Sequence, residues 1–123
     1  MARIVQKIQI NGRELNALFD TGSLRSYICK EFEPPNTRKV PSIHVSIGGR
    51  TLNLDRRCDV SAMINGLEFD LSAYIIDELG EIEEGCIDAL IGALCMEEWW
   101  IKLDPKSRTL DLSNLRRREF TEY

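Results

Sequence analysis

Apolar and polar residues alternate along this chain in short runs that break at turn-forming pairs. Residues 3–10 and 13–19 are rich in aliphatic and β-branched side chains and flank Asn11-Gly12. That pair readily takes the positive φ angles of a type I′ turn, so the run predicts a hairpin leading into Asp20. Residues 59–64 and 67–76 flank Asn65-Gly66 in the same way, and Ile10-Asn11-Gly12-Arg13-Glu14-Leu15 is echoed by Ile64-Asn65-Gly66-Leu67-Glu68-Phe69. The echo reads either as a weak internal repeat or as two unrelated hairpins. Between them Pro34-Pro35-Asn36-Thr37 predicts a loop, since proline cannot donate to a strand ladder and Asn favours turns. A strand should resume near Val40. Residues 43–47, Ile-His-Val-Ser-Ile, alternate before Gly48-Gly49, and Thr51-Leu52-Asn53-Leu54 alternates after it, which gives a third hairpin over about 43–58. Ala93 to Trp100 suits a short amphipathic helix in which Trp99 and Trp100 are expected to anchor packing. Residues 101–103 and 109–112 flank Asp104-Pro105-Lys106-Ser107-Arg108, with the proline placed for a turn. The whole pattern is that of a small all-β domain with one late helix.

A chain of 123 residues with 43% hydrophobic content can bury one core and is expected to form a single domain over residues 1–123. Its formal charge of -4 argues against nucleic acid as a partner, because phosphate binding depends on clustered Lys and Arg. Arg116-Arg117-Arg118 is the one basic run and is read as part of a solvated basic tail over 113–123. The segment 77–88 carries Asp77, Glu78, Glu81, Glu83, Glu84 and Asp88 and is read as a solvated acidic loop; recruitment of basic peptides is the alternative. No apolar stretch reaches the roughly 20 residues of a membrane span, and the N-terminal residues lack a signal-peptide core. A cytoplasmic protein without membrane association is therefore expected. Cys29, Cys58, Cys86 and Cys95 form no Cys-x-x-Cys pair, and the single histidine, His44, has no metal-type neighbour. Reduced thiols are expected ahead of disulfides, with no metal and no cofactor.

Candidate chemistry sits where the first hairpin ends. Asp20-Thr21-Gly22-Ser23 follows the apolar Ala17-Leu18-Phe19, and a second apolar run ending in glycine, Ala89-Leu90-Ile91-Gly92, precedes the amphipathic stretch at 93–100. This pairing resembles the retropepsin-like aspartic proteases, in which a strand delivers an Asp-Thr-Gly turn, a hydrophobic-hydrophobic-glycine strand passes beside it and a short helix follows. The resemblance spans most of residues 3–112. It implies a closed β-barrel or sandwich of hairpins acting as a homodimer, since a chain with one aspartate turn must bring in a second copy about a two-fold axis.

By the same resemblance Asp20 is the catalytic residue, Thr21 bonds across the dimer axis, and Gly22 lets the two turns approach. Ser23 is expected to orient Asp20, and Ile91 and Gly92 to pack beside the turn. The hairpin over 43–58 takes the position of a flap, with Ile47, Gly48, Gly49 and Arg50 as candidate substrate-binding residues; a plain surface hairpin is the alternative. The segments near Ile4 to Ile10 and Leu110 to Leu115 are candidates for the dimer interface. Ala93 departs from the polar residue often found after that glycine in viral members, where it supports the dimer.

Two juxtaposed carboxylates cannot readily both ionise, so they share one proton; the charged member activates water and the protonated member donates to the carbonyl oxygen. The expected activity is thus aspartic endopeptidase on peptide or protein substrates. A noncatalytic dimeric peptide-binding module on the same fold is the alternative. A serine hydrolase using His44 is a third reading, for which no Gly-x-Ser-x-Gly motif is present.

Overall fold

A computed structural model of the chain describes residues 3–123. Strand β1 (Arg3–Ile10) turns at Asn11-Gly12 into β2 (Arg13–Asp20), and both turn residues have positive φ, 52° and 75°. A type I′ turn has the twist of the strands it joins. The same device recurs twice: Gly48-Gly49 joins β4 (Arg38–Ile47) to β5 (Arg50–Ile64), and Asn65-Gly66 joins β5 to β6 (Leu67–Ile76). A two-residue turn fixes register, so Ile10 faces Arg13 and, at the far end of the hairpin, Arg3 faces Asp20.

The two strand segments expected at 51–54 and 59–64 are one 15-residue strand, β5. It pairs with β4 at its start and with β6 over Arg57 to Ile64. The β4–β5 register shifts between Lys39 and Ile43, where Pro41 withholds an N–H. Because β4 is the outermost strand of the sheet, that irregularity leaves the interior ladder intact.

Four short strands complete the site-bearing region: β3 (Tyr27–Cys29) and β9 (Ala89–Ile91) in the main sheet and, in a separate ladder, β7 (Glu81–Ile82) and β8 (Gly85–Cys86). The main order is β1-β2-β9-β3-β6-β5-β4, with β1 pairing in addition with β5 at Gln9↔Met63 and Ile10↔Ala62. Strand β2 runs parallel to β9, Phe19 opposite Ile91, and β3 runs parallel to β6. These parallel pairs lie among antiparallel hairpins, and β2 is buried on both faces from Leu15 to Phe19. Leu15, Ala17 and Phe19 enter the main core with Ile8, Phe69 and Leu71, whereas Leu18 points to a second cluster with Tyr27, Leu54, Ile76 and Leu90. Burying a Phe or Leu fully contributes about 1.5–3 kcal/mol, so the strand that ends in Asp20 is held from both sides.

Helix α1 (Ala93–Glu98) ends before the two tryptophans, because Trp99 leaves helical geometry and Trp100 takes a left-handed φ of 53°. The hairpin β10 (Lys102–Asp104) with β11 (Thr109–Asp111) follows. Residues 113–123, expected as a solvated basic tail, instead begin with helix α2 (Ser113–Arg117), which buries Leu115 completely in the main core. Beyond it Phe120 meets Trp99 edge-on at 5.6 Å, and Arg118 lies over the Trp99 ring while donating to Glu68 O. Guanidinium groups stack well on indole faces, so the basic run is spent partly on packing. The acidic segment 77–88 likewise contains a hairpin and is fastened to the sheet. Asn16 N–H donates to Asp88 Oδ2 at 2.8 Å, and the Asn16 amide donates to Cys86 O at 3.0 Å. No helix among the described residues is long and apolar enough to cross a membrane.

All four cysteines are free thiols, and only Cys86 is exposed. Burial pushes the Cys29 and Cys58 thiols up to about 11 and Cys95 to about 12, so near neutrality these three stay protonated. Thiolate, not thiol, is the nucleophile. Alkylation of the native protein is expected to modify Cys86 alone, and all four only after denaturation; rapid native labelling at more than one site by mass spectrometry would contradict this packing. Because only the unfolded chain releases these protons between about pH 9 and 11, stability is expected to fall across that window and to be insensitive to these thiols below it.

Candidate active site

Asp20 closes β2 and starts a tight turn. Ser23 N–H donates to Asp20 O at 3.2 Å, and Gly22 N–H donates to Asp20 Oδ1 at 2.8 Å. The carboxylate is thus held by its own turn, in the manner of an Asx-turn. Its other oxygen, Oδ2, lies 3.6 Å from Arg3 Nε, and the Asp20 side chain keeps 17% of its surface exposed. Arg3 was not singled out from the sequence, yet a two-residue turn at Asn11-Gly12 places it opposite Asp20 once the register is counted back.

The turn is fastened from behind. Ala93 N–H donates to Ser23 O at 2.7 Å and Leu94 N–H to Leu24 O at 3.1 Å, so carbonyls of the 20–26 loop satisfy the first amides of α1. Gly92 N–H donates to the buried Ser26 hydroxyl at 3.0 Å. A Cβ at Gly92 would stand 2.2 Å from Arg25 O and 2.7 Å from Leu24 O, so the loop backbone and the glycine are in direct contact. Ser26 carries no local sequence signal, because its partner lies far along the chain. Ile91 is fully buried beside Phe19. Ser23, expected to orient Asp20, donates its hydroxyl to Arg25 O at 2.9 Å; it braces the loop. Thr21 is exposed on the turn and lines an apolar groove running along α1.

In front of the carboxylate lies a cleft of about 380 Å³, bounded on one side by Asp20, Gly22 and Arg25 and on the other by residues 44–48 of the β4–β5 hairpin. Of the expected substrate-binding residues, Ile47 and Gly48 line this cleft. Gly49 completes the turn, and Arg50 reaches away to donate to Glu78 O at 2.8 Å. His44 also lines the cleft, with Tyr27 and Leu90 on its floor. Asp20 is the single carboxylate among the lining residues. One such group can take a proton or give one, but a reaction that needs both at once requires a second acid–base group.

No family model and no curated protein matches this sequence. Among solved structures the chain is similar to the crystal structure of the retroviral protease-like domain of Ddi1 from Leishmania major. The TM-score is 0.65 at 16% identity, over 93% of this chain and 90% of that one. The fold is retroviral protease-like. In that fold the Asp20 turn, the Ile91-Gly92 strand end and helix α1 adjoin one another, as the hydrogen bonds from Gly92, Ala93 and Leu94 to the 20–26 loop describe.

Proposed function

We propose that the chain is one half of a homodimeric aspartic endopeptidase, with Asp20 from each copy forming the catalytic pair. One observation carries this reading. In a retroviral protease-like fold, Asp20 ends a doubly buried strand with its carboxylate oriented by Gly22 N–H, facing a cleft beneath a hairpin tip. The pair would share a proton, one member drawing a proton from water as it attacks the carbonyl carbon and the other protonating the carbonyl oxygen. On this reading the β4–β5 hairpin acts as the flap, and the β1–β5 pairing closes the sheet into a barrel.

The second copy needs a surface that leads to the Asp20 turn. The apolar side chains of the chain-terminal segments are largely spent inside the monomer: Ile4, Ile8, Ile10, Leu112 and Leu115 are all buried. A largely apolar groove of about 520 Å³ remains open, lined by Thr21, Ala93, Met96, Trp100, Ile101 and Leu103, with Glu97 and Lys102 as its two charged residues. It begins at the residue next to Asp20, and Trp100, still 36% exposed, stands at its margin. Tryptophan is enriched among the residues that anchor interfaces. Trp100→Asp, which suits a left-handed backbone better than most residues do, is expected to weaken association at least tenfold in sedimentation velocity while leaving the monomer folded. Unchanged association would move the interface elsewhere.

The test of the activity is cleavage of a diverse peptide library, followed by mass spectrometry over protein concentrations that span association. Cleavage per chain is expected to rise as the dimer forms. Intact peptides throughout, in the presence of demonstrable dimer, would overturn the endopeptidase in favour of a noncatalytic peptide-binding module.

A further inference from the structure

We propose that Arg25 makes this cleft selective for peptides bearing a carboxylate side chain, Asp or Glu, close to the scissile bond; this rests on the endopeptidase reading above. Arg25 lines the cleft with Asp20 and is the only Lys or Arg among the lining residues. The other ionisable groups facing the cleft are His44 from β4 and Tyr27 from β3. Strand β9 contributes only Ala89, Leu90 and Ile91. From β1, Arg3 is already engaged with Asp20. Among the described residues, no carboxylate lies within ion-pair distance of the Arg25 guanidinium, although Arg3, Arg38, Arg56 and Arg117 each have one. Arg25 is exposed, so its cationic end is left to be satisfied by water or by something entering the cleft.

What turns an exposed arginine into a recognition element is the rigidity of its backbone. Arg25 O accepts the Ser23 hydroxyl at 2.9 Å, and Leu24 O accepts Leu94 N–H at 3.1 Å. The Arg25 carbonyl also packs directly on Gly92. Four residues separate Arg25 from Asp20, and the path is hydrogen-bonded both to itself and to α1. Its stem therefore starts from a fixed point relative to the reacting carboxylate, which is the condition for a selective subsite. A guanidinium presents paired N–H groups that match a carboxylate in geometry as well as charge. Arg25 also borders a recess of about 350 Å³ shared with Arg57, Ser72 and Tyr74. With Ser26 the recess thus holds a second cation and three hydroxyl-bearing side chains, and Glu98 is the opposing charge. Tyr27 feels the same guanidinium: burial raises its phenol above the usual 10.0, and the positive charge of Arg25 acts in the opposite sense.

The acidic hairpin at 77–88 points to the contrary expectation, that basic peptides are preferred by long-range attraction. Those charges act through solvent and are screened within about 8–10 Å at ordinary salt, whereas Arg25 lines the cleft itself. The experiment uses matched peptides carrying Glu, Gln or Lys, walked through several positions on either side of the cleaved bond. Wild type, Arg25→Gln and Arg25→Glu are compared by kcat/KM, and peptide affinity is measured in parallel on Asp20→Asn with and without the Arg25 changes. At one position wild type is expected to favour Glu over Gln by about tenfold, Arg25→Gln to lose the preference, and Arg25→Glu to invert it toward Lys. Cleavage by wild type with no acidic preference, with a preference for Lys, or with ratios unaltered in Arg25→Glu would overturn the inference while leaving the endopeptidase standing. Arg25-dependent binding of acidic peptides to a protein that cleaves none would overturn the endopeptidase and uphold the recognition.

Discussion

Asp20→Asn is expected to reduce peptide cleavage by at least about a thousandfold while leaving the fold nearly untouched. The amide has the shape of the carboxylate but cannot accept a proton from water, and general acid and base catalysis together account for losses of this order. The local structure should survive, because the side-chain carbonyl of Asn can still accept the Gly22 N–H that now bonds to Asp20 Oδ1. What is lost besides the chemistry is the contact at 3.6 Å with Arg3, whose side chain is 52% exposed. Ion pairs so accessible to water contribute about 0–1 kcal/mol. A dimer built from one wild-type and one variant copy holds a single carboxylate and should be equally inactive. Denaturant titration and cleavage assays on the same preparation separate the two effects. Substantial turnover in a folded Asp20→Asn protein would remove Asp20 from the reaction.

How much of this was readable in advance depends on whether the deciding contact is local. Asn11-Gly12 and Asn65-Gly66 announce β1–β2 and β5–β6 because a two-residue turn needs positive φ at both positions, and the residues that supply it are few. The same local logic places Asp20 at a strand end and Gly48-Gly49 at a hairpin tip. Strand β3, only Tyr27–Cys29, has no period long enough to detect; it is a strand because β6 and β9 flank it. Helix α2 is hidden for a related reason. Its five residues include two arginines and read as solvated, and only the tertiary pocket that takes Leu115 makes a helix of them. The site divides in the same way. Asp20 and Gly92 stand out in short motifs, whereas Ser26 gains its role from a bond to Gly92 N–H that pairs residues distant in sequence. Arg3 lies between these cases, since its position opposite Asp20 follows from the turn by counting.

Gly92→Ala is expected to be the most damaging single-methyl change for stability, and the reason is steric. Gly92 has φ -96° and ψ -178°, extended backbone that alanine adopts freely, so no conformational preference is violated. The added Cβ would instead stand 2.2 Å from Arg25 O, 2.7 Å from Leu24 O and 2.8 Å from the Arg25 carbonyl carbon. All three are main-chain atoms and cannot rotate aside. Relief requires the 24–25 segment to move away from α1, which pulls Leu24 O from Leu94 N–H and strains the Gly92 N–H bond to Ser26. Overpacking of this kind costs about 1–3 kcal/mol and each buried hydrogen bond about 1 kcal/mol more, so a loss of about 3–5 kcal/mol is expected. That is a large part of the 5–15 kcal/mol by which domains of this size are usually stable. Gly66→Ala supplies the comparison: nothing lies within 4 Å of its added Cβ, but φ is +77°, so its cost of about 1 kcal/mol comes from backbone strain alone. Urea unfolding of the two variants should rank them in that order. Any folded fraction of Gly92→Ala should also cleave poorly, because the displaced segment carries Arg25 and follows directly on the Asp20 turn. A Gly92→Ala protein as stable as Gly66→Ala would show that the loop can retreat from α1 at little cost, and with it the rigid mounting of the carboxylate would be lost as an explanation for this site.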